Sequence, residues 1–363
     1  MPPFTGIYRS KRQALHRTPR DHPDSIQRIP AVLRRLRRNI WLRKGLASVA
    51  APEAVADKLL LEVHSERYIE RIRRFCEQGG GYVDDDTYLS PGSYAAAIYS
   101  AGGAVKACSD VLGGELRNAF VLTRPPGHHA GTEGLALNAD STGFCVFNNA
   151  ACAARYLLGR GLRRVALIDL DAHHGNGTQE IFYGDPGVLY LGIHEDSGFF
   201  PYSGSVEEVG EGEGEGFTVN MPLDRGSGDG DYLVFLREII SPILDQYHPE
   251  FTLVSLGFDA HRLDPLADLN LSSIGYLRII DALRRMAEEQ CGGRLVLLLE
   301  GGYNMRTLPL LVSATTSILC GAQRAPVPLP RNGVVQRQTI ERLQDVKRKL
   351  SAFWSLDDSN IPD

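Results

Sequence analysis

The chain has 363 residues, of which 43% are hydrophobic, and its 39 Lys and Arg against 44 Asp and Glu give a formal net charge of −5. This size allows one large α/β domain or two smaller ones, and no apolar run is long enough for a transmembrane helix or a signal peptide. The six cysteines form no CxxC pair, which predicts reduced thiols in a cytoplasmic protein and argues against a cysteine-based zinc site.

The N-terminal part of the chain is strongly basic, with twelve Lys and Arg and two Asp in residues 1–44. Thr5–Tyr8 predicts a first short strand. The basic residues that follow are interleaved with apolar residues at helical spacing, namely Ile29, Val32, Leu33, Leu36 and Ile40. This pattern predicts an amphipathic helix with its arginines in solvent. The alternative interpretation is a contact for an acidic partner or another subunit, and no motif indicates nucleic-acid binding.

Short apolar runs alternate with helical patterns along the rest of the chain, without a linker between them. The predicted strands are Ala119–Thr123, Val165–Asp171, Val188–His194, Phe217–Met221, Phe251–Gly257 and Leu295–Glu300. The predicted helices are Ser93–Leu112, Phe147–Gly159, Asp229–Gln246, Ile274–Glu289 and Leu308–Leu319. The alternation indicates an α/β fold with a central parallel β-sheet flanked by helices on both faces. We expect a single domain over 1–363, with a core at about 8–320 and a C-terminal helical extension at 333–351.

An acidic, glycine-rich segment lies at Glu207–Gly216. Its glutamates would repel phosphate, and no helix clearly follows it. It is therefore predicted to be a mobile surface loop and not a phosphate-binding loop.

Polar side chains follow four of the predicted strands. The segments are Arg124-Pro-Pro-Gly-His-His129, Asp169 to Asn176, Gly257-Phe-Asp259 and Glu300-Gly-Gly-Tyr303. Ligands of open parallel sheets bind at the carboxyl ends of the strands, so these four segments are expected to form one site.

The carboxylates and imidazoles of these segments form a metal-ligand pattern. On an extended segment, Asp169, Asp171 and His173 would project to one face. Asp171 and His173, together with Asp259, offer an Asp₂His site for a divalent metal. Three protein ligands leave room on the metal for water and substrate.

Two further features suggest catalysis. The tandem His128 and His129 suit general acid–base chemistry near neutral pH. Tyr303 follows two glycines, so we expect its hydroxyl to lie on a flexible turn as a candidate oxyanion donor.

Taken together, these segments resemble the zinc-dependent histone deacetylase and acetylpolyamine amidohydrolase family, in particular its class II and bacterial amidohydrolase-like branch. The resemblance runs from about Tyr8 to about Leu319. It is carried by Arg124-Pro-Pro-Gly-His-His-Ala130, Gly143-Phe-Cys-Val-Phe-Asn-Asn149, Asp169-Leu-Asp-Ala-His-His-Gly-Asn-Gly-Thr-Gln179, Gly257-Phe-Asp259 and Glu300-Gly-Gly-Tyr-Asn304. It implies the arginase/deacetylase fold.

The resemblance also implies roles for individual residues. Asp171, His173 and Asp259 match the zinc ligands. His129 matches the general base that activates the attacking water, and His128 matches its electrostatic companion and a second proton donor. Tyr303 matches the residue that binds the oxyanion.

Other matches concern the surroundings of these groups. Asp169 matches the carboxylate paired with His128, and Asn176 stands where many members of the family have Asp. A neutral Asn stabilises the imidazolium of His129 less than Asp would. The residues that match the acyl-lysine tunnel and its floor are Gly143, Phe144, Phe200 and Gly301.

Members of this family also bind monovalent cations, which implies K⁺ or Na⁺ at two sites. The first would use Asp169, Ile193 and the backbone of Asp171 and His173, although Gly192 stands where other members offer a serine hydroxyl. The second would use the backbone carbonyls of Phe182, Asp185, Val188 and Phe217.

Three departures bear on substrate and metal number. The loop from Gly131 to Thr142 is longer than usual and should lie near the tunnel mouth. Leu266 stands where polyamine-selective relatives have Glu, which favours a neutral acyl chain or acyl-lysine. Gly175 replaces the second Asp of two-manganese relatives, so one catalytic metal is expected.

The predicted function is therefore a zinc-dependent deacetylase that hydrolyses the amide of acyl-lysine side chains to amine and carboxylate. Acetylpolyamine or another small amide is the alternative substrate, and a non-catalytic acyl-lysine binding protein is the third hypothesis. Iron or cobalt could occupy the same ligands. The expected partners are an acylated lysine peptide or protein, or a small acylated amine, with a possible homo-oligomer and neither nucleic acid nor membrane.

Overall fold

Eight parallel strands form the central sheet of the computed structural model, which describes residues 5–137, 139–196, 198–323 and 334–356. A separate antiparallel pair lies beside it. The strands are β1 (Thr5–Tyr8), β2 (Ala47–Ala50), β3 (Gly81–Tyr82), β4 (Tyr88–Leu89), β5 (Asn118–Val121), β6 (Val165–Asp169), β7 (Val188–Glu195), β8 (Thr218–Leu223), β9 (Phe251–Leu256) and β10 (Leu295–Leu299). The order in the sheet is β2-β1-β5-β10-β9-β6-β7-β8, and β3 pairs with β4.

Helices connect the strands and cover the sheet. They are α1 (Arg28–Leu36), α2 (Ile40–Arg43), α3 (Asp57–Leu61), α4 (Glu66–Glu77), α5 (Ser93–Leu112), α6 (Asn149–Gly159), α7 (Asn176–Phe182), α8 (Asp229–Phe235), α9 (Ser241–Tyr247), α10 (Ser273–Cys291), α11 (Leu308–Leu319) and α12 (Arg337–Leu350). A π-helical turn at Leu236–Ile240 joins α8 to α9, and 3₁₀ turns lie at Lys11–Leu15 and Gly212–Gly214.

Both faces of the sheet are buried, as continuous apolar strands predict. In β10, Leu295, Leu297 and Leu299 pack into one apolar cluster, whereas Val296 and Leu298 pack into the cluster on the opposite face. This alternation follows from the two-residue period of a strand, and a strand needs apolar side chains on both faces only when helices cover both. The predicted helix-covered parallel sheet is confirmed.

The ends of the predicted elements agree with the structure to within a few residues. One of these small differences affects the site. Strand β6 ends at Asp169, so Asp171 and His173 lie in a bend beyond it rather than on an extended segment. The sequence analysis did not identify β2, β3, β4, α2, α3, α4 or α7. The four residues of β2 form an edge strand, and its outer side chains are only partly buried.

The basic N-terminal segment forms a helix as expected, but a shorter one. In α1, Ile29, Val32 and Leu36 are buried. The helix ends at Leu36, so Ile40 begins α2 and is 62% exposed; its predicted inward position is wrong.

The C-terminal extension contains α12, which packs on β8. Lys347 of this helix pairs with Glu238 at 3.1 Å in a buried contact. The acidic segment 207–216 also makes specific contacts, because the Glu208 carboxylate accepts hydrogen bonds from the backbone N–H groups of Gly204 and Ser205. No helix among the described residues is long and apolar enough to span a membrane, and all six cysteines are free and buried.

Candidate active site

The four segments singled out in the sequence follow four neighbouring strands at the centre of the sheet. Strands β5, β10, β9 and β6 are adjacent in that order. Because all four are parallel, their carboxyl ends meet at one edge, where parallel sheets bind their ligands. The site is therefore assembled by the topology of the sheet from residues far apart in sequence.

The predicted metal ligands come together at this edge. Ligand atoms of Asp171, His173 and Asp259 all lie within 4.8 Å of one another. His173 Nδ1 is 3.0 Å from Asp171 Oδ1 and 3.3 Å from Asp259 Oδ2. Asp259 Oδ2 is buried and has no hydrogen-bond partner. A buried carboxylate oxygen without a partner is costly, so this atom fits a bound cation.

The electrostatics of the group point the same way. Burial alone would lower the pKa of His173, but the nearby carboxylates of Asp171 and Asp259 raise it to about 10. Two buried carboxylates so close together leave an excess of negative charge that a divalent cation would offset. The donor set of two carboxylates and one imidazole suits zinc.

Backbone groups hold the two carboxylates in place. Gly301 N–H donates to Asp171 Oδ2 at 2.8 Å, and Ala172 N–H donates to Asp259 Oδ1 at 3.0 Å. A Cβ at Gly301 would collide with the Asp259 carboxylate, and one at Gly257 with that of Asp171. Glycine is therefore required at both positions for the backbone to approach the ligands.

His128 lies between two carboxylates. Its Nδ1 is 3.1 Å from Asp169 Oδ2, and its Nε2 is 3.7 Å from Asp171 Oδ1. Although burial opposes protonation, these charges raise the pKa of His128 to about 10. The side chain is therefore held as an imidazolium.

His129 has the opposite character. Its ring centre is 3.9 Å from that of His128, and its Nδ1 is 2.8 Å from Asn176 Oδ1. Burial and then the neighbouring imidazolium of His128 lower the pKa of His129 well below its usual value. Asn176 is itself oriented, because its amide donates to the carbonyl of Ala136 at 2.9 Å. One imidazole is thus charged and the other neutral, which separates a proton donor from a proton acceptor.

Tyr303 is fixed more firmly than the sequence suggested. Its backbone N–H donates to Asp264 Oδ2 at 2.7 Å. Its ring lies between Phe144, with ring centres 5.7 Å apart, and Arg28, whose guanidinium carbon is 4.9 Å from the ring centre. Burial raises the pKa of the Tyr303 hydroxyl well above its usual value, so the hydroxyl stays protonated and can donate. The expectation of a flexible turn is therefore wrong.

Behind Tyr303 lies a buried ion network that the sequence analysis missed. Asp24 Oδ1 accepts from Arg28 at 2.9 Å and from Arg124 at 3.0 Å, and His16 Nε2 is 3.2 Å from Asp24 Oδ2. Arg28, a basic residue of the N-terminal segment that the sequence analysis did not single out, is fully buried. Asp24 lies before the first residue of α1, so the helical spacing rule does not apply to this pair, and no local pattern in the sequence identifies it.

The predicted tunnel residues surround the two histidines and Tyr303. Gly143 and Phe144 have positive φ values of 50° and 68°. Phe200 packs against His129, with ring centres 5.2 Å apart. A Cβ at Gly143 would lie 3.0 Å from His129 Nε2 and 3.1 Å from the Phe200 ring. Phe199, which the sequence analysis did not name, stacks on His173 with ring centres 5.2 Å apart.

The two features that were predicted to bear on substrate choice, Leu266 and the loop 131–142, contact the site through backbone groups. Leu266 is half-buried, and its N–H lies 3.3 Å from Asp264 Oδ1. The long loop 131–142, apart from Asn138, which lies outside the described residues, contacts Asn176 through Ala136. It continues into the tunnel wall, because Gly143 N–H donates to Ser141 Oγ at 2.9 Å.

The residues predicted to bind monovalent cations are buried or partly buried. Several of their oxygen atoms already accept hydrogen bonds from other groups of the protein. At the first site, Asp169 Oδ1 accepts from the N–H of Asp171 at 3.1 Å, and Ile193 is buried. A Cβ at Gly192 would lie 2.8 Å from the Tyr190 hydroxyl, so this tyrosine fills the space that a serine would need. At the second site, three of the predicted ligand carbonyls already accept hydrogen bonds from backbone N–H groups, namely those of Phe182, Asp185 and Phe217. The fourth predicted ligand, Val188, lies in β7.

Gly175 bears on the number of catalytic metals. A Cβ at this position would collide with the Asp169 carboxylate and lie 2.9 Å from the Tyr190 hydroxyl. A second bridging carboxylate does not fit there without displacing both groups, which agrees with the expectation of one catalytic metal.

Comparisons with known proteins agree with this arrangement. Residues 22–319 match the family described as "Histone deacetylase domain". The chain is 36% identical over 361 residues to a probable deacetylase of Archaeoglobus fulgidus, covering 96% of this chain and 98% of that protein. It is 38% identical over 301 residues to a histone deacetylase-like amidohydrolase of Pseudomonas aeruginosa, covering 83% and 77%.

A solved structure agrees as well. The crystal structure of the HDA15 HD domain superposes with a TM-score of 0.87 at 32% identity, covering 98% of this chain and 96% of that one. The predicted arginase/deacetylase fold and the resemblance are thereby confirmed. The chain belongs to the histone deacetylase family and is a deacetylase, a hydrolase that acts on amide bonds.

Proposed function

We propose that the enzyme is a zinc-dependent deacetylase that hydrolyses the amide of acyl-lysine side chains to a free amine and a carboxylate. The observation that carries the proposal is the buried Asp171–His173–Asp259 group, with its unpartnered carboxylate oxygen, beside two imidazoles that contact Asp169 and Asn176. When bound by these three side chains, zinc would polarise the amide carbonyl and acidify water, which is its usual contribution to hydrolysis.

The protein side chains have distinct tasks in this reaction. Asn176 Oδ1 accepts the Nδ1 proton of His129, which leaves the Nε2 lone pair of His129 free to take a proton from the attacking water. The Tyr303 hydroxyl donates to the carbonyl oxygen as the water oxygen bonds to carbon. As the carbon–nitrogen bond breaks, an imidazolium proton from His128 or His129 passes to the departing amine.

The lining of the site supports an acylated side chain as substrate. Phe144 and Phe200 offer aromatic surface to an aliphatic chain, and Leu266, at its predicted substrate position, carries no charge that would bind a cationic polyamine. The intact pair of histidines argues against a non-catalytic acyl-lysine binding protein.

Several finer features belong to the same proposal. We expect one zinc ion per chain, K⁺ or Na⁺ near Asp169 and Ile193 and near Phe182, Asp185, Val188 and Phe217, and a single domain over 1–363. A cytoplasmic location is supported by the six free, buried cysteines. A homo-oligomer remains a prediction.

The decisive experiment compares kcat/KM for an acetyllysine peptide with that for acetylated spermidine and putrescine, on enzyme of measured metal content. We expect a preference for the peptide of at least about 10-fold. A preference for the polyamine would reject acyl-lysine and support a small-amine amidohydrolase. Full activity in enzyme that contains iron or cobalt and no zinc would reject the metal assignment.

A matched pair of variants sharpens the substrate assignment. Leu266→Glu places a carboxylate at the predicted substrate wall and should shift the preference towards the cationic polyamine by about 10-fold or more. Leu263→Glu adds the same charge at a neighbouring residue that is 58% exposed, and should change the preference little.

A further inference from the structure

We propose that Asp264 is a positioning residue for Tyr303: its carboxylate holds the backbone of the turn that aims the phenol hydroxyl into the site. The inference rests on the proposed function, because Tyr303 is assigned its hydrogen bond to the carbonyl oxygen there. Neither the catalytic roles assigned above nor the predicted tunnel includes Asp264.

The contacts of Asp264 are specific and buried. Oδ2 accepts from the N–H of Tyr303 at 2.7 Å and from the N–H of Asn304 at 3.0 Å, and Oδ1 faces the N–H of Leu266 at 3.3 Å. The residue is 8% exposed. Because one carboxyl oxygen accepts from both N–H groups, this side chain fixes two consecutive amides.

The turn before Tyr303 is held from two sides. Arg28 Nε donates to the carbonyl of Gly302 at 2.9 Å, and Arg28 Nη2 donates to the carbonyl of Glu300 at 2.7 Å. The Arg28 guanidinium thus donates to the carbonyls of the turn while the Asp264 carboxyl group accepts from the amides that follow. Gly302 has a φ of 108°, a conformation that glycine adopts without strain, so the turn can bend between these two sets of contacts.

Asp264 is not needed to begin the helix that follows. Asn304 Oδ1 accepts from the N–H groups of Arg306 at 2.9 Å and Thr307 at 3.2 Å, which satisfies the donors before α11. Among the residues that the structure describes, the Asp264 carboxyl group accepts from Tyr303, Asn304 and Leu266. Its effect is therefore expected on the orientation of Tyr303 and not on the formation of α11.

The first test is a double-mutant cycle on acetyllysine peptide. Asp264→Ala should lower kcat by about 100-fold with KM within about threefold, because a small displacement of a catalytic group costs about this much. In a Tyr303→Phe background the same change should cost less than about threefold, since the hydroxyl it positions is already absent. Equal losses in both backgrounds would overturn the proposal.

Two further variants keep this test sharp. Asp264→Asn keeps the volume and one acceptor oxygen, so its loss should be smaller, at about three- to tenfold, and it replaces Asp264→Ala in the cycle if that variant does not fold. Asp231→Ala is the control. Asp231 is also buried and also accepts from two backbone N–H groups, of Gly228 and Gln336 at 2.8 Å each, but it joins α8 to the C-terminal segment. Its removal should leave kcat within about threefold.

The second test does not depend on turnover. Hydrogen–deuterium exchange of the metal-free protein should show faster exchange in a peptide covering residues 302–305 for Asp264→Ala than for wild type, with no change there for Asp231→Ala. Unchanged exchange in this peptide would overturn the proposal even if the enzyme were inactive on every acyl substrate. Faster exchange in an enzyme without deacetylase activity would instead reject only the proposed function.

Discussion

The guanidinium of Arg28 covers one face of the Tyr303 ring at 4.9 Å while it donates to the backbone carbonyls of Gly302 and Glu300. One buried side chain therefore contacts both the ring of the oxyanion donor and the turn that carries it. Its charge is balanced by Asp24, which also accepts from Arg124. Although burial opposes ionisation, Arg124, His16 and Arg28 hold the pKa of Asp24 well below its usual range.

The first prediction concerns this carboxylate. Asp24→Asn leaves two buried guanidinium groups without a counter-charge and should lower the free energy of unfolding by about 3–5 kcal/mol. Urea unfolding followed by circular dichroism measures the change. Asp281→Asn, which breaks the partly exposed pair with Arg284, is the control and should cost less than about 1 kcal/mol. Similar losses of unfolding free energy in the two variants would show that the buried network stabilises the fold no more than a partly exposed ion pair does.

The second prediction concerns the Tyr303 hydroxyl. Tyr303→Phe removes the proposed donor to the carbonyl oxygen and should lower kcat by about 100- to 1000-fold, while the zinc content stays at the wild-type value. Tyr94→Phe removes a hydroxyl that contacts only Arg73 among the described residues and should keep wild-type turnover. Activity of Tyr303→Phe close to that of wild type would reject the oxyanion role.

The third prediction concerns the space beside His129. In Gly143→Ala the added methyl would lie 3.0 Å from His129 Nε2, the atom that must reach the attacking water. We expect kcat/KM to fall by about 100-fold. Gly212→Ala is the matched control, because Gly212 has a similar φ of 55° but nothing within 4 Å of the new methyl group. It should cost about 1 kcal/mol of stability from strain and leave kcat/KM unchanged, so equal kinetic losses would assign the effect to backbone strain.

The sequence was sufficient to predict the sheet and the side chains at its carboxyl edge. Apolar runs such as Leu295–Leu299 require burial on both faces, and the segments after β5, β6, β9 and β10 carry the charged groups. The parallel topology then requires these groups to meet. The adjacency of the four strands was not predicted, because strand order depends on long-range packing that local patterns do not encode.

The support around the site could not be predicted in the same way. Asp24 and Arg28 lie within a segment whose other arginines are exposed, and only the fold identifies the buried pair. Asp264 is five residues beyond Asp259 in a loop, and its partners at Tyr303 and Asn304 lie about 40 residues further along the chain. Backbone contacts of this kind carry no side-chain pattern that a sequence could reveal.

The fourth prediction concerns the basicity of His129. Asn176→Asp places a charge 2.8 Å from His129 Nδ1 and should raise the pKa of His129 from its lowered value. Since His129 must be neutral to accept a proton, the acidic limb of the profile of kcat/KM against pH should move to higher pH. The control Asn220→Asp changes a buried amide that contacts Gln179 instead, and should leave that limb in place. An unmoved limb in Asn176→Asp would mean that His129 is not the base.

The fifth prediction concerns stability at mildly acidic pH. His64 Nδ1 donates to the carbonyl of Gly131 at 2.8 Å, and Nε2 accepts from the N–H of Asn148 at 2.9 Å, so the neutral ring joins the start of the loop 131–142 to the N-terminus of α6. Burial lowers the pKa of His64 to about 4.

Because the pKa of His64 is lower in the folded state than the value of about 6.5 in the unfolded chain, the unfolded state binds more protons between these values, and stability falls as pH decreases through this window. Between about pH 7.5 and about pH 5 this one group should cost about 2 kcal/mol of unfolding free energy. His64→Gln can retain both hydrogen bonds without titrating. The difference in unfolding free energy between this variant and wild type should therefore narrow by about 2 kcal/mol as pH falls from about 7.5 to about 5. Urea unfolding at both pH values measures the effect. A parallel pH dependence in His64→Gln and wild type would contradict the linkage.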